Sequence, residues 1–195
     1  MLTEKQGEFL VKLARTSIRC FVTGTPCPPV PEGPEWLMKK TGVFTTMHCF
    51  PGNELRGCVG FPAPVFPLGA AVIESARSAC CDDRFCRLSE AELGKVIVEV
   101  SVLSEPEDIT FSSSEELLRK VSREKGLIIR KGACSALFLP QVWEQIWDKE
   151  EFLSCLCAKA CLPTGAWKSC GLEVSGFAAQ VFAEKTPGGK IHLVS

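Results

Sequence analysis

The sequence contains no apolar run approaching the roughly 18 residues that a membrane-spanning helix requires. It has no internal repeat and no excess of one charge, with 22 lysines and arginines against 23 acidic residues. The lack of a basic field argues against non-specific binding to nucleic acid or to an anionic membrane. Met1 is followed by charged residues rather than by a basic start and an apolar segment, so no secretory signal is expected. These absences predict a soluble protein of the reducing cytoplasm. No glycine-rich phosphate loop and no paired Cys-x-x-Cys spacing is present, so neither a nucleotide nor a zinc ion is assigned.

Cysteine, in contrast, is abundant: there are twelve in 195 residues. A secreted disulfide scaffold is one reading of that number. The length of the chain, the missing signal and the placement of the cysteines within apolar patterns favour reduced core residues. Cys155, Cys157 and Cys161 illustrate the choice. On a helix, Phe152, Leu153, Leu156, Cys157, Ala160 and Cys161 form one apolar stripe while Cys155 faces elsewhere, which is a packing pattern rather than a metal site.

Periodicity outlines the fold. Thr3 and Gln6 have the spacing of a capping box, and Leu10, Leu13, Ala14, Ile18 and Phe21 continue a helix that Gly24 ends. Five prolines between residues 25 and 34 predict a loop. Residues 43–50 and 55–61 read as a hairpin turning at 51–54, and a helix follows over 68–79. Ser89 and Glu92 can cap a short helix. In "VIVEVSVL", residues 96–103, four valines alternate with Ile97, Glu99, Ser101 and Leu103 as in a strand. Then come a short helix over 115–121, a hairpin over 127–139 turning at Lys131-Gly132, and helices over 141–147 and 149–162. A long last strand over 172–184 is expected to carry a bulge at Gly176, and residues 185–195 are expected to fray. Without βαβ alternation, the reading is α+β: an antiparallel sheet flanked by helices, as a single domain over 1–195.

"LRGCVG", "DDRF", "VEVSVL", "LFLPQVWEQIWDKEEFL" and "AKACLP" in this order resemble the AMMECR family, and the resemblance runs from about Phe9 to Glu184. It implies a two-lobed α+β fold, the second lobe smaller, with the "LRGC" segment as its functional centre. It assigns no reaction and no cofactor, and it associates such domains with Memo-like and radical-SAM proteins as pathway partners. It carries over Leu55, Arg56, Gly57, Cys58 and Gly60, then Asp82, Arg84 and Phe85. This chain departs from the family's "DPRFPPL" at Asp83 and at Cys86-Arg87.

"ELRGCVGF", residues 54–61, poses the functional question. With residues 51–54 as the loop, Met47 opposes Cys58 and Cys49 opposes Arg56, so thiol and guanidinium share a face and His48 points away. A one-residue slip, or a bulge at Gly57, reverses that arrangement. A guanidinium beside the thiol would lower its pKa from about 8.5, making Cys58 a nucleophile tuned by Arg56, the two candidate catalytic residues. Asp82 or Glu54 would instead neutralise Arg56. Leu55, Gly57, Gly60, Asp82, Arg84 and Glu99 are the candidate ligand-binding residues. Each has a plainer reading: the glycines make room for a helix, Asp82 and Arg84 are a loop ion pair, and Glu99 is solvated or, if buried, paired with Arg56 or Arg84. Trp143 and Trp147, four apart, read as one helical face; Lys159 reads as snorkelling and His192 as exposed. The rival function is a non-enzymatic module that binds a protein or a small ligand.

Overall fold

The computed structural model describes residues 1–27, 29 and 33–194, so the predicted 25–34 loop lies partly outside the described residues. The fold is α+β with two antiparallel sheets, and the chain divides into two compact units. One comprises Met1–Leu103 and Gln180–Ser195, the other Ser104–Ala179.

The first unit opens with α1 (Glu4–Thr23), whose capping box at Thr3 and Gln6 and left-handed Gly24 cap match the sequence signals. A one-turn helix α2 (Glu35–Met38) precedes the hairpin β1 (Val43–Cys49) and β2 (Leu55–Phe61). Then come α3 (Leu68–Ala79) and β3 (Val96–Leu103). The chain returns with β8 (Ala179–Glu184) and β9 (Ile191–Leu193), giving the sheet order β2-β1-β3-β8-β9. Strand alternation decides what is buried. Val43, Met47, Val96, Val98, Val100 and Val102 enter one core with Leu10, Val11 and Ile18 of α1 and Ala71, Val72 and Ala76 of α3. Removing each such branched side chain from water stabilises the fold by about 1.5–3 kcal/mol.

The second unit holds β4 (Glu107–Asp108), α4 (Ser114–Lys120), β5 (Gly126–Lys131), β6 (Cys134–Phe138), α5 (Lys149–Lys159) and β7 (Glu173–Phe177). Its sheet order is β4-β7-β5-β6. Its core centres on Phe152, whose ring stacks on Trp143 at a centroid distance of 3.5 Å.

Several expectations are overturned. The strand expected over 172–184 is two strands, β7 and β8, which belong to different sheets, and Gly176 pairs in register rather than bulging. Apolar alternation continues through Ala178 and cannot reveal a change of sheet. Residues 185–195 do not simply fray: Ile191–Leu193 pairs with Phe182–Glu184, and half-buried His192 donates a hydrogen bond from Nδ1 to the Ala183 carbonyl at 2.9 Å. The helix expected over 141–147 is a 3-10 segment, Pro140–Glu144, so Trp143 is buried whereas Trp147 is 68% exposed. Cys157 does pack in the core, but α5 stops before Cys161, which is exposed at φ 59°. Lys159 lies over the Phe138 ring and donates to the Leu137 carbonyl.

One ion pair ties the first unit together. The Glu184 carboxylate at the end of β8 accepts from the Arg15 guanidinium of α1 and from Val98 N–H of β3. Arg15 also donates to the carbonyls of Leu93 and Val96. Glu184 is almost wholly buried, so its charge is tolerated only because these donors surround it. Replacing Glu184 by alanine strands the guanidinium without its counter-charge, and the expected loss is about 3–5 kcal/mol in urea denaturation followed by circular dichroism. An Arg15→Met/Glu184→Leu double variant is expected to lose less than Glu184→Ala alone.

Candidate functional site

The hairpin does not have the register read from its sequence. Cys58 faces Thr46, Gly57 faces Met47 and Leu55 faces His48, so Arg56 is the extra residue of a β-bulge. The pairing has slipped by one residue, and each slip of one moves a strand's side chains to the opposite face. Met47 and Gly57 therefore face α3. Cys58 lies on the other face, in a row with Thr46 and, across β1, with Glu99 of β3. Gly57 is a packing requirement: a β-carbon there would stand 2.5 Å from the Ala79 carbonyl oxygen of α3. One at Gly60 would stand 2.2 Å from the Val43 carbonyl oxygen. Leu55 is exposed at the start of the strand.

Because β2 is an edge strand, the outward N–H and C=O of Cys58 have no strand to pair with. The loop after α3 satisfies both. Asp82 Oδ2 accepts the Cys58 N–H at 2.8 Å, and Arg84 donates to the Cys58 carbonyl at 3.3 Å. Arg84 closes back on Asp82 through its backbone N–H, Nε and a terminal nitrogen, at 3.1, 3.0 and 2.7 Å. The carboxylate is only 6% exposed yet accepts four hydrogen bonds. Arg84, with the donated N–H groups, holds its pKa far below the usual carboxylate range.

Arg56 takes a different course. Its guanidinium donates to both oxygens of Glu92, at 2.7 and 3.3 Å, and to the Cys86 carbonyl at 2.9 Å. Glu92 is held by the capping box at Ser89, and Arg56 draws its pKa down to about 2. Arg56 and Arg84 both stand near the Phe85 ring, at 5.8 and 5.6 Å from its centroid.

The thiol is thus not activated as the sequence suggested. Burial pushes the Cys58 pKa up, and Glu99 and Asp82 push in the same direction. Thr46, donating to the sulfur at 3.3 Å, and Arg84 act against that rise without reversing it. The expectation that Arg56 tunes Cys58 is corrected: the bulge and Glu92 commit its guanidinium elsewhere, and the cation that acts on the thiol is Arg84. The alternative that an acid neutralises Arg56 has the right form but a different residue, Glu92 rather than Asp82 or Glu54. Asp82 and Arg84 are an ion pair and also part of the Cys58 surroundings, so the two readings coincide. His48 lies half-buried on the Cys58 face, its Nδ1 hydrogen-bonded to the Asn53 carbonyl at 3.2 Å, with its pKa lowered by burial. Sequence reasoning missed Thr46 and the second role of Glu92. The capping signal at Ser89-x-x-Glu92 was visible, but its reach to β2 was not.

A family model for AMMECR1 matches residues 11–182. The chain belongs to the AMMECR1 family. It is 41% identical over 202 residues to a protein of Thermofilum pendens, covering 97% of this chain and 95% of the relative. It is 42% identical over 196 residues to protein MK0488 of Methanopyrus kandleri, covering 97% and 94%. The crystal structure of uncharacterized protein PH0010 from Pyrococcus horikoshii superposes with a TM-score of 0.92 at 40% identity, covering 98% of both chains. The "LRGC" motif of the sequence resemblance thus sits in this family fold on β2, at the sheet edge that Asp82 and Arg84 hold. Among the described residues there is no helix long and apolar enough to cross a membrane. Nor do they contain a group of three or more His, Cys, Asp or Glu able to hold a metal ion.

The depressed pKa values of Asp82 and Glu92 give this anchor a definite pH dependence. Both carboxyls are ordinary, near 4, in the unfolded chain. Their contribution is therefore complete above about pH 5 and is lost as pH falls from about 4 through their folded values. Stability measured by urea denaturation is expected to be flat in this contribution from pH 7 to 5 and to drop between pH 4 and 2. Asp82→Asn should be less stable at pH 7 and should show a shallower acid slope. An unchanged slope would mean that the carboxylate is not charged and paired as described.

Proposed function

We propose that this AMMECR1-family chain is a binding module, with the "LRGC" strand as a rigid scaffold rather than the seat of a catalytic nucleophile. One observation carries this reading: each arginine at the site is matched by a carboxylate, and the Cys58 thiol has a raised pKa. An ordinary thiol is only a few per cent ionised at pH 7, and burial reduces that fraction further. A thiol enzyme needs the opposite shift. The features around Cys58 instead fix backbone: the Asp82–Arg84 clamp on the strand edge, the glycine contact with α3, and the Arg56–Glu92 tie to the Ser89 turn. Rigid presentation of this kind suits recognition, because a preorganised surface loses little freedom on binding. The occupant we propose is a partner protein of the Memo-like or radical-SAM class, on the strength of the family resemblance.

The thiol-enzyme alternative rests on the partial accessibility of Cys58 and on the donor Thr46, which would stabilise a thiolate. Alkylation at pH 7 separates the two. In the native chain the tryptic peptide from Gly57 to Arg77 contains a single cysteine; in Arg56→Gln the cut after residue 56 is lost and the peptide 41–77 also carries Cys49, so fragment ions place the label on Cys58 in both. The binding-module reading expects Cys58 to react several-fold more slowly than a model thiol, with no change in Arg56→Gln. Reaction faster than the model thiol, slowed by Arg56→Gln, would restore the catalytic assignment of Cys58 and Arg56. Co-purification of a Memo-like protein should be equal for the native chain and Cys58→Ala. Its failure with both would remove that partner while leaving the thiol result intact.

A further inference from the structure

The loop that clamps β2 carries two more thiols, one on each side of its turn. Phe85 N–H donates to the Asp82 carbonyl at 2.9 Å, making Asp82–Phe85 a β-turn whose end α-carbons lie within about 7 Å of each other. Cys81 and Cys86 are the residues immediately outside that turn, one on each leg. The legs are drawn together again farther down, where Leu88 N–H donates to the Cys80 carbonyl at 2.9 Å. Arg56, donating to the Cys86 carbonyl, fixes the second leg. Both cysteines thus lie between two closures of one short loop, and a disulfide joining them brings their α-carbons to roughly 4.4–6.8 Å. Both thiols are exposed to solvent. The neighbouring Cys80 is not: it is buried, its sulfur donates to the Ala76 carbonyl at 3.3 Å, and burial pushes its pKa up to about 12.

We propose that Cys81 and Cys86 are a redox modification site, converted by a hydroperoxide into a disulfide that closes the loop around Asp82–Phe85. One thiolate attacks the peroxide, takes one oxygen to become a sulfenic acid, and releases an alcohol, or water from hydrogen peroxide. The second thiolate attacks the sulfenic sulfur, forms the S–S bond and expels hydroxide, which leaves as water with one proton. Two thiols are oxidised and one peroxide is reduced. The ring so formed encloses Asp82 and Arg84, the two residues that hold the Cys58 backbone, so oxidation locks the clamp on β2. This holds whether or not Cys58 is catalytic.

The test treats the folded protein with one equivalent of hydrogen peroxide, blocks remaining thiols with N-ethylmaleimide, and digests without reduction. Trypsin cuts after Arg77, Arg84 and Arg87, so the disulfide joins the peptide 78–84 to the peptide 85–87. That linked species is expected in the native chain and is expected to vanish in both Cys81→Ser and Cys86→Ser. Its survival in Cys81→Ser would mean that Cys80 is the partner and would overturn the assignment. So would sulfinic acids or intermolecular dimers in place of the linked pair. In the oxidised protein the Cys58 amide hydrogen should exchange severalfold more slowly than in the reduced one. Equal exchange would overturn the coupling to β2.

Discussion

An edge strand leaves a row of backbone donors and acceptors without partners, and β2 solves this with side-chain groups of opposite charge. Asp82 takes the place of a neighbouring strand's carbonyl, and Arg84 that of its N–H, at the single residue Cys58. Charge-assisted hydrogen bonds are shorter and stronger than neutral ones. Here they also neutralise each other, so a carboxylate that is almost fully buried costs little. The position of the loop after α3 and the environment of Phe85 follow from this clamp. It also blunts an edge that could otherwise pair with another chain.

The two arginines show why proximity in sequence is a poor guide to electrostatics. Arg56 is two residues from Cys58, but a single inserted residue in the ladder commits its guanidinium to Glu92 and Cys86. Arg84, twenty-six residues away, reaches the Cys58 carbonyl and opposes the rise of the thiol's pKa. Even that cation is largely spent on Asp82. Desolvation then sets the direction of the shift at Cys58, with Glu99 and Asp82 adding to it.

Much of the fold was legible because it depends on local patterns. The capping box at Thr3 and Gln6, the left-handed glycine at Gly24 and the valine alternation of β3 each rest on neighbouring residues, and each appears as read. The hairpin of β1 and β2 was legible as a pair but not in register, because Leu55 to Cys58 contain no signal that distinguishes a bulge from regular pairing. The break at Ala178 was hidden because both β7 and β8 are apolar strands, and only their partners differ. The strand at Ile191–Leu193 was hidden because three residues carry too little periodicity. Of the site, Asp82, Arg84 and Arg56 were named from the sequence, and so was the Asp82–Arg84 pair, but the pairing of Arg56 with Glu92 was not.

The sequence by itself determined most of the helices and strands, the α+β class and the family, since these are written in short-range periodicity and in motifs kept in order. Tertiary structure alone decided that Arg56 meets Glu92 and in which direction the thiol's pKa moves. Those outcomes depend on a one-residue shift in a ladder and on distances between segments far apart in the chain. Electrostatic energy changes steeply over a few ångströms and with burial, whereas the pattern of apolar residues does not.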